Sequence, residues 1–156
     1  MVNTGGAALG ALATADTASD ISPYVAASTA SFMDTPNTIN VSHNSLPGGT
    51  PAELFASVRI GASVWQFSGL EGNAQYTVRL YFAEINPTIG AGQREFDVKI
   101  EGNMALADFD IYNEAGGRDK GIAHTLNAPV SSDGILEIEF ICTNALIAGI
   151  EVLLGQ

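Results

Sequence analysis

Residues 76–100, YTVRLYFAEINPTIGAGQREFDVKI, constrain the fold more than any other stretch of the chain. Tyr76, Val78, Leu80 and Phe82 alternate with Thr77, Arg79, Tyr81 and Ala83, so an extended segment here has one apolar face and one mixed face. Phe96, Val98 and Ile100 alternate with Glu95, Asp97 and Lys99 in the same way. Between the two runs, Pro87, Gly90 and Gly92 mark a loop. The pattern predicts two antiparallel strands joined by a connection longer than a tight hairpin.

The rest of the chain follows suit. Residues 2–6 read as a short first strand. Residues 7–50 are small and polar, which predicts irregular structure with one or two short strands, one of them near residues 38–42, tied down by the rings of Tyr24 and Phe32. Residues 53–70 hold one or two strands, the second over 63–68. Further strands are expected over 104–111, 121–130, 136–142 and 145–154, with a loop at 113–120 and turns at 71–73, 101–103, 131–134 and 143–144. Turns recurring about every ten residues between alternating runs indicate an all-β, single-domain sandwich of two antiparallel sheets.

Composition narrows the partners. The chain has 156 residues, enough for one domain with its own core, and a net charge of −11 with only six basic side chains. Nucleic acid and anionic membrane surfaces both require a basic patch that this chain lacks. No run approaches the length of a transmembrane span. The alanine-rich start, GGAALGALATA, has no basic residue ahead of it, so it does not read as an export signal. A single domain opening directly on a strand reads as a piece of a larger multidomain protein, with the signal upstream. Cys142 is the sole cysteine, so no internal disulfide forms, and its apolar neighbours predict a small buried hydrophobe.

Paired carboxylates beside a sugar can hydrolyse it, and Glu84 with Asp97, or Asp108 with Asp110, are the candidate pairs. Each falls in an alternating strand, where an acidic side chain ordinarily meets solvent or a backbone amide; no catalysis is expected. His43 and His124 are the only histidines and form no ligand motif, so no transition metal or other cofactor is expected. Asp108, Asp110, Asn113, Glu114 and Asp119 offer hard oxygen donors for a structural calcium, although their spacing matches no calcium loop. Trp65 and Phe67 share one strand face, which favours core over a stacking platform.

Four segments in order carry a resemblance: FAEI, then REFDVKIEGN, then LADFDI, then ALIAGIEVL. Together with the opening VNTGG they resemble the malectin family of carbohydrate-binding domains, in the order and spacing of its bacterial, extracellular branch. The resemblance covers nearly the whole chain and implies a jelly-roll-like sandwich that binds sugars without catalysis. It also implies where the sugar site lies: an aromatic position in the first long loop and another further on, a tyrosine after an arginine, an aromatic pair after the FAE segment, and an aspartate before the last strand. Here those positions carry Tyr24, Phe55, Arg59 with Ile60, Asn86 with Pro87, and Thr143 with Asn144. The scaffold is kept while most of the diglucose-reading side chains are replaced.

The expected function is therefore a non-catalytic carbohydrate-binding module of a secreted or cell-surface protein, with a site unlike malectin's own. A neutral oligosaccharide or polysaccharide fits the acidic chain best, and the parent protein's other domains are the remaining partners. The alternative is a structural or adhesion spacer, or a protein-binding sandwich, with a decayed sugar site. Phe55 and Arg59 divide the two: in the first reading they form a stacking ring beside a donor; in the bland one Phe55 is core and Arg59 pairs with one of the surface carboxylates.

Overall fold

A computed structural model describes residues 1–4 and 14–155, with the side chains of residues 3, 4, 14 and 15 left out of account. The last part of the expected opening strand and most of the alanine-rich start lie outside the described residues. The strands are β1 Val2–Thr4, β2 Thr14–Asp16, β3 Val25–Ser28, β4 Ser31–Asp34, β5 Ser57–Ile60, β6 Ser63–Phe67, β7 Gln75–Phe82, β8 Phe96–Ile100, β9 Asn103–Phe109, β10 Ile122–Pro129, β11 Leu136–Ile141, β12 Leu146–Ile147 and β13 Gly149–Leu154. One sheet has the order β10-β7-β13-β1-β2 and faces a second of order β3-β6-β11-β8-β9. A third, smaller sheet has the order β12-β5-β4, so the described residues form three sheets where the sequence predicted two. All pairings are antiparallel except β1 with β2.

The core forms as the alternation requires. Val78, Leu80 and Phe82 of β7 join Trp65, Val98, Ile138 and Phe140 in one buried cluster. Trp65 is fully buried and its indole donates to Ser63 Oγ at 3.1 Å, so its one polar group is satisfied inside.

The two organising strands do not pair with each other. β7 pairs with β10 and β13, whereas β8 pairs with β9 and β11 in the opposite sheet. The connection over residues 83–95 therefore crosses the sandwich, whose sheets pack ~10 Å apart. Side-chain period fixes which face is buried but not which strand lies alongside. The rings of Phe82 and Phe96 meet across the core at 6.2 Å, and Phe82 lies 4.8 Å from Phe109.

Other departures have local causes. The loop expected at 113–120 begins with a one-turn helix, α1 Ile111–Ala115, because Asp110 caps its start and Gly116 takes the left-handed φ of 71° at its end. The expected strand over 38–42 is reduced to one bridge, Asn40 to Lys120. The single strand expected over 145–154 divides at Ala148, whose amide bonds Tyr81 O at 2.9 Å, and its two halves enter different sheets.

Candidate functional site

Three segments are fastened together at one end of the sandwich. Glu84, fully buried, accepts from Arg94 Nε at 2.6 Å and from the Asn86 amide at 2.9 Å. The same guanidinium donates to the carbonyl of Asn144. Two strands away, the Gly61 amide bonds Ala145 O at 2.8 Å, and Leu146 pairs with Ile60. The buried ion pair thus ties the 84–94 loop to the 143–145 turn, and backbone bonds tie that turn to the end of β5. Ile60, Asn86, Pro87, Thr143 and Asn144 all lie on these three segments. Pro87 and Thr143 are exposed, and Ile60, Asn86 and Asn144 are half-buried. A charged residue inside the apolar run FAEI was the sequence sign that a buried partner exists.

Arg59 lies inside the protein. It is 2% exposed and makes a two-pronged contact with Asp16, itself fully buried: Nε to Oδ2 at 2.7 Å and Nη2 to Oδ1 at 2.6 Å. Its remaining Nη1 donates to Ser28 Oγ at 2.7 Å. The guanidinium lies 4.8 Å from the centroid of Phe32 and 5.3 Å from Trp65. Arg59 is therefore a strut joining β2, β3, β4 and β6, and the bland expectation of a surface ion pair is replaced by a buried one.

Beside this strut an open groove of about 660 Å³ runs along β3 and β4. Its walls include Ile21, Ser28, Ser31, Phe32 and the edge of Arg59. Phe32 was expected only as an anchor; it is half-buried, with the Arg59 guanidinium 4.8 Å from its ring centroid. Ala30, at one end of the groove, sits 2.9 Å from where a side chain at Gly61 would begin, so the groove runs up to the fastened loop end.

The other named aromatics separate. Phe55 is fully buried, ends the 3-10 turn Ala52–Phe55, meets Tyr81 edge-on at 6.2 Å, and packs so closely on Gly121 that a Cβ there would lie 2.8 Å from its ring. It is core. Tyr24 is half-buried and stacks on Phe67 at 4.7 Å, away from the groove of Phe32, so one of its faces is already covered. Cys142 is exposed rather than buried, at a φ of +132°.

The acidic candidates are engaged. Glu84 is locked to Arg94. Asp97 Oδ1 accepts from the Asp108 amide at 2.9 Å, and Asp110 takes the amides of Asn113 and Gly92. Asp119 accepts from Asn37 at 2.9 Å. Asp108, Asp110, Asn113 and Glu114 do line a cavity of about 680 Å³, yet among the described residues no three carboxylate, histidine or cysteine groups come together as a metal ion needs. Among the described residues no helix is long and apolar enough to cross a membrane.

Comparison with known proteins now bears on this geometry. A probable LRR receptor-like serine/threonine-protein kinase of Arabidopsis thaliana is 35% identical over 103 residues, 60% of this chain and 10% of that protein. The chain thus spans about a tenth of that relative's length, and the kinase name describes the whole of it. The extracellular domain of ANXUR2 from Arabidopsis thaliana superposes with a TM-score of 0.80 at 18% identity, over 99% of this chain and 48% of that one. A structure titled plant peptide RALF23 in complex with FER and LLG2 superposes at 0.69, with 18% identity over 85% of this chain and 41% of that one. The plant relatives lend no support to a bacterial branch. The profile of the Malectin domain matches residues 1–155, and the chain belongs to that family.

Proposed function

We propose that this domain is a non-catalytic carbohydrate-binding module of an extracellular or cell-surface protein, one that takes a neutral glycan in the groove beside Phe32. The observation that carries this reading is the half-buried Phe32 ring, braced 4.8 Å from the Arg59 guanidinium at the wall of an open groove of about 660 Å³. A half-exposed aromatic face at a groove wall is a stacking surface for the apolar face of a pyranose. Ser28 and Ser31 supply hydroxyls to read the sugar's own. Asp16 neutralises Arg59, so the groove carries no net charge and favours a neutral oligosaccharide or polysaccharide. In this reading Ile60, Thr143 and Asn144 form the rim at the groove's Ala30 end, with Asn86 and Pro87 beyond. Arg59 orients Phe32 and does not itself meet the sugar. The bacterial source suggested by motif spacing, and attachment to further domains of a parent protein, belong to the same proposal.

A glycan array followed by calorimetry tests it. At least one neutral glycan should bind, and Phe32→Leu, which keeps apolar bulk but removes the aromatic face, should weaken it at least about tenfold, the loss of one good stacking contact. Unchanged affinity in Phe32→Leu overturns the groove assignment.

A second reading has its own support. β3 and β4 are edge strands of their sheets among the described residues, and they line the groove, so an extended peptide could add to either edge. The similar fold solved with the peptide RALF23 makes a protein or peptide partner the natural alternative. No ligand across a broad glycan panel would favour that reading.

A further inference from the structure

The outer face of the first sheet holds a second polar cavity that shares no residue with the groove of Phe32. β10, β7 and β13 lie side by side, and their registers set Thr125, Arg79 and Glu151 in one row across the three strands. Arg79 donates through Nε to Thr125 Oγ1 at 3.3 Å and through Nη1 to Glu151 Oε2. Tyr81, two residues on from Arg79 and on the same face, donates its hydroxyl to that same Oε2 at 3.0 Å. The Arg79 and Glu151 side chains are only 20% and 18% exposed. What covers them is the Pro-Gly-Gly-Thr-Pro segment, residues 47–51, folded back by Thr50, whose hydroxyl bonds Pro47 O at 2.7 Å. Between this flap and the sheet lies a cavity of about 170 Å³, with Met1 at its side.

An ion pair drawn out of water loses hydration that only well-placed polar partners restore. Apolar packing would have been the simpler way to seat a flap on a sheet. Here a guanidinium, a carboxylate and a phenol instead converge on an open space. We infer that this cavity binds a single neutral pyranose ring. The volume equals that of about six water molecules at ~30 Å³ each, enough for one ring and too little for a chain. The pair is already neutral, so a charged ligand would have to break it. A planar guanidinium and a carboxylate can each bridge two adjacent hydroxyls of a sugar, one as donor and the other as acceptor. The rings of Pro47 and Pro51 face the ring C–H groups. A free monosaccharide and the terminal residue of a glycan present the same chemistry.

Nuclear magnetic resonance titration of the whole chain tests this site separately from the groove. The probes are the methyl pyranosides of glucose, galactose and mannose, their reducing-end-extended disaccharides, and sodium glucuronate and glycine as charged controls. One neutral methyl pyranoside should shift the Gly48 and Gly49 amides with millimolar affinity. Arg79→Met and Glu151→Gln should each weaken it at least tenfold, while Phe32→Leu leaves it unchanged. Gly48→Trp guards against a folding artefact: a side chain at Gly48 meets nothing within 4 Å, so it enters open space at the mouth and should abolish binding without lowering the melting temperature. A disaccharide that binds as well as its terminal methyl pyranoside identifies a chain-end site, and loss on extension identifies a free-sugar site; either supports the assignment. It is overturned if no pyranoside moves the two glycine amides, if Gly48→Trp and both pair variants bind as before, or if glucuronate or glycine binds in preference.

Discussion

Arg59 and Phe55 show how far apart two neighbouring residues of one motif can end. Both are inside, but for different reasons, and stability measurements should separate them. Phe55 fills core volume against Tyr81 and Gly121. Phe55→Ala should therefore cost about 3–5 kcal/mol in urea unfolding. Arg59→Met leaves the fully buried Asp16 carboxylate without its charge partner. The expected cost is again about 3–5 kcal/mol, and the double variant with Asp16→Leu should recover much of it, because the penalty is the stranded charge and not lost attraction. If Arg59→Met unfolds at the wild-type urea midpoint, the strut does not exist in solution. Tyr81 offers a spectroscopic handle on the outer-face cavity. Burial, helped by the Glu151 carboxylate and opposed by the Arg79 guanidinium, pushes its hydroxyl up to about 12 against the ordinary 10.0. The folded state favours the neutral phenol, so this residue's contribution to stability is whole below about pH 10 and is lost as pH rises toward about 12. Ultraviolet difference titration should show a tyrosinate step near the upper value that disappears in Tyr81→Phe and moves down in Glu151→Gln.

At the level of elements, turns decide what alternation cannot. Cys142 follows β11 at a φ of +132°, a region that side chains rarely adopt, and it is exposed. Holding a non-glycine residue there costs on the order of 1–3 kcal/mol, while glycine's extra freedom in the unfolded chain returns roughly 0.5–1 kcal/mol. The first number is the larger. Cys142→Gly should stabilise the protein by about 1 kcal/mol and raise its melting temperature by about 2–4 °C; a fall would mean that the turn relaxes at no cost. The helix α1 rests on one capping carboxylate, Asp110, which also takes the Gly92 amide from the crossing loop. Asp110→Ala should cost about 0.5–2 kcal/mol and increase amide exchange at both Asn113 and Gly92, a pairing that a cap acting alone would not produce.

For the whole molecule, closure depends on the two ends of the chain. β1 lies against β13, Val2 opposite Ile150, and β2 delivers Asp16 to Arg59. Removing residues 1–16 would strip the edge of β13 and leave Arg59 buried and unpaired. The truncated chain should lose dispersed amide resonances and aggregate. Such long-range closure also predicts slow folding, since the ends must meet before either contributes.

The strands and their buried faces were legible in the sequence, because side-chain period, turn residues and apolar runs are local properties. The family and its all-β architecture followed from segments whose order survives the divergence of the rest. The pairing of those strands was not legible. Residues 76–82 and 96–100 read as a hairpin and became opposite walls, because register and partner are settled by which apolar faces can be buried together, across loops long enough to allow either outcome. The site divided along the same line. Positions 60, 86, 87, 143 and 144, named from the resemblance, lie on segments that are fastened together at one end. Tyr24 and Phe55 were named by the same reasoning and went to other places, since exposure of an aromatic ring depends on neighbours distant in the chain. Asp16 gave no local sign that it would hold Arg59, and Glu151 none that it would meet Arg79 and Tyr81. Charged pairs of that kind come into being only when strands far apart in sequence are laid side by side, and only there does burial give them their strength.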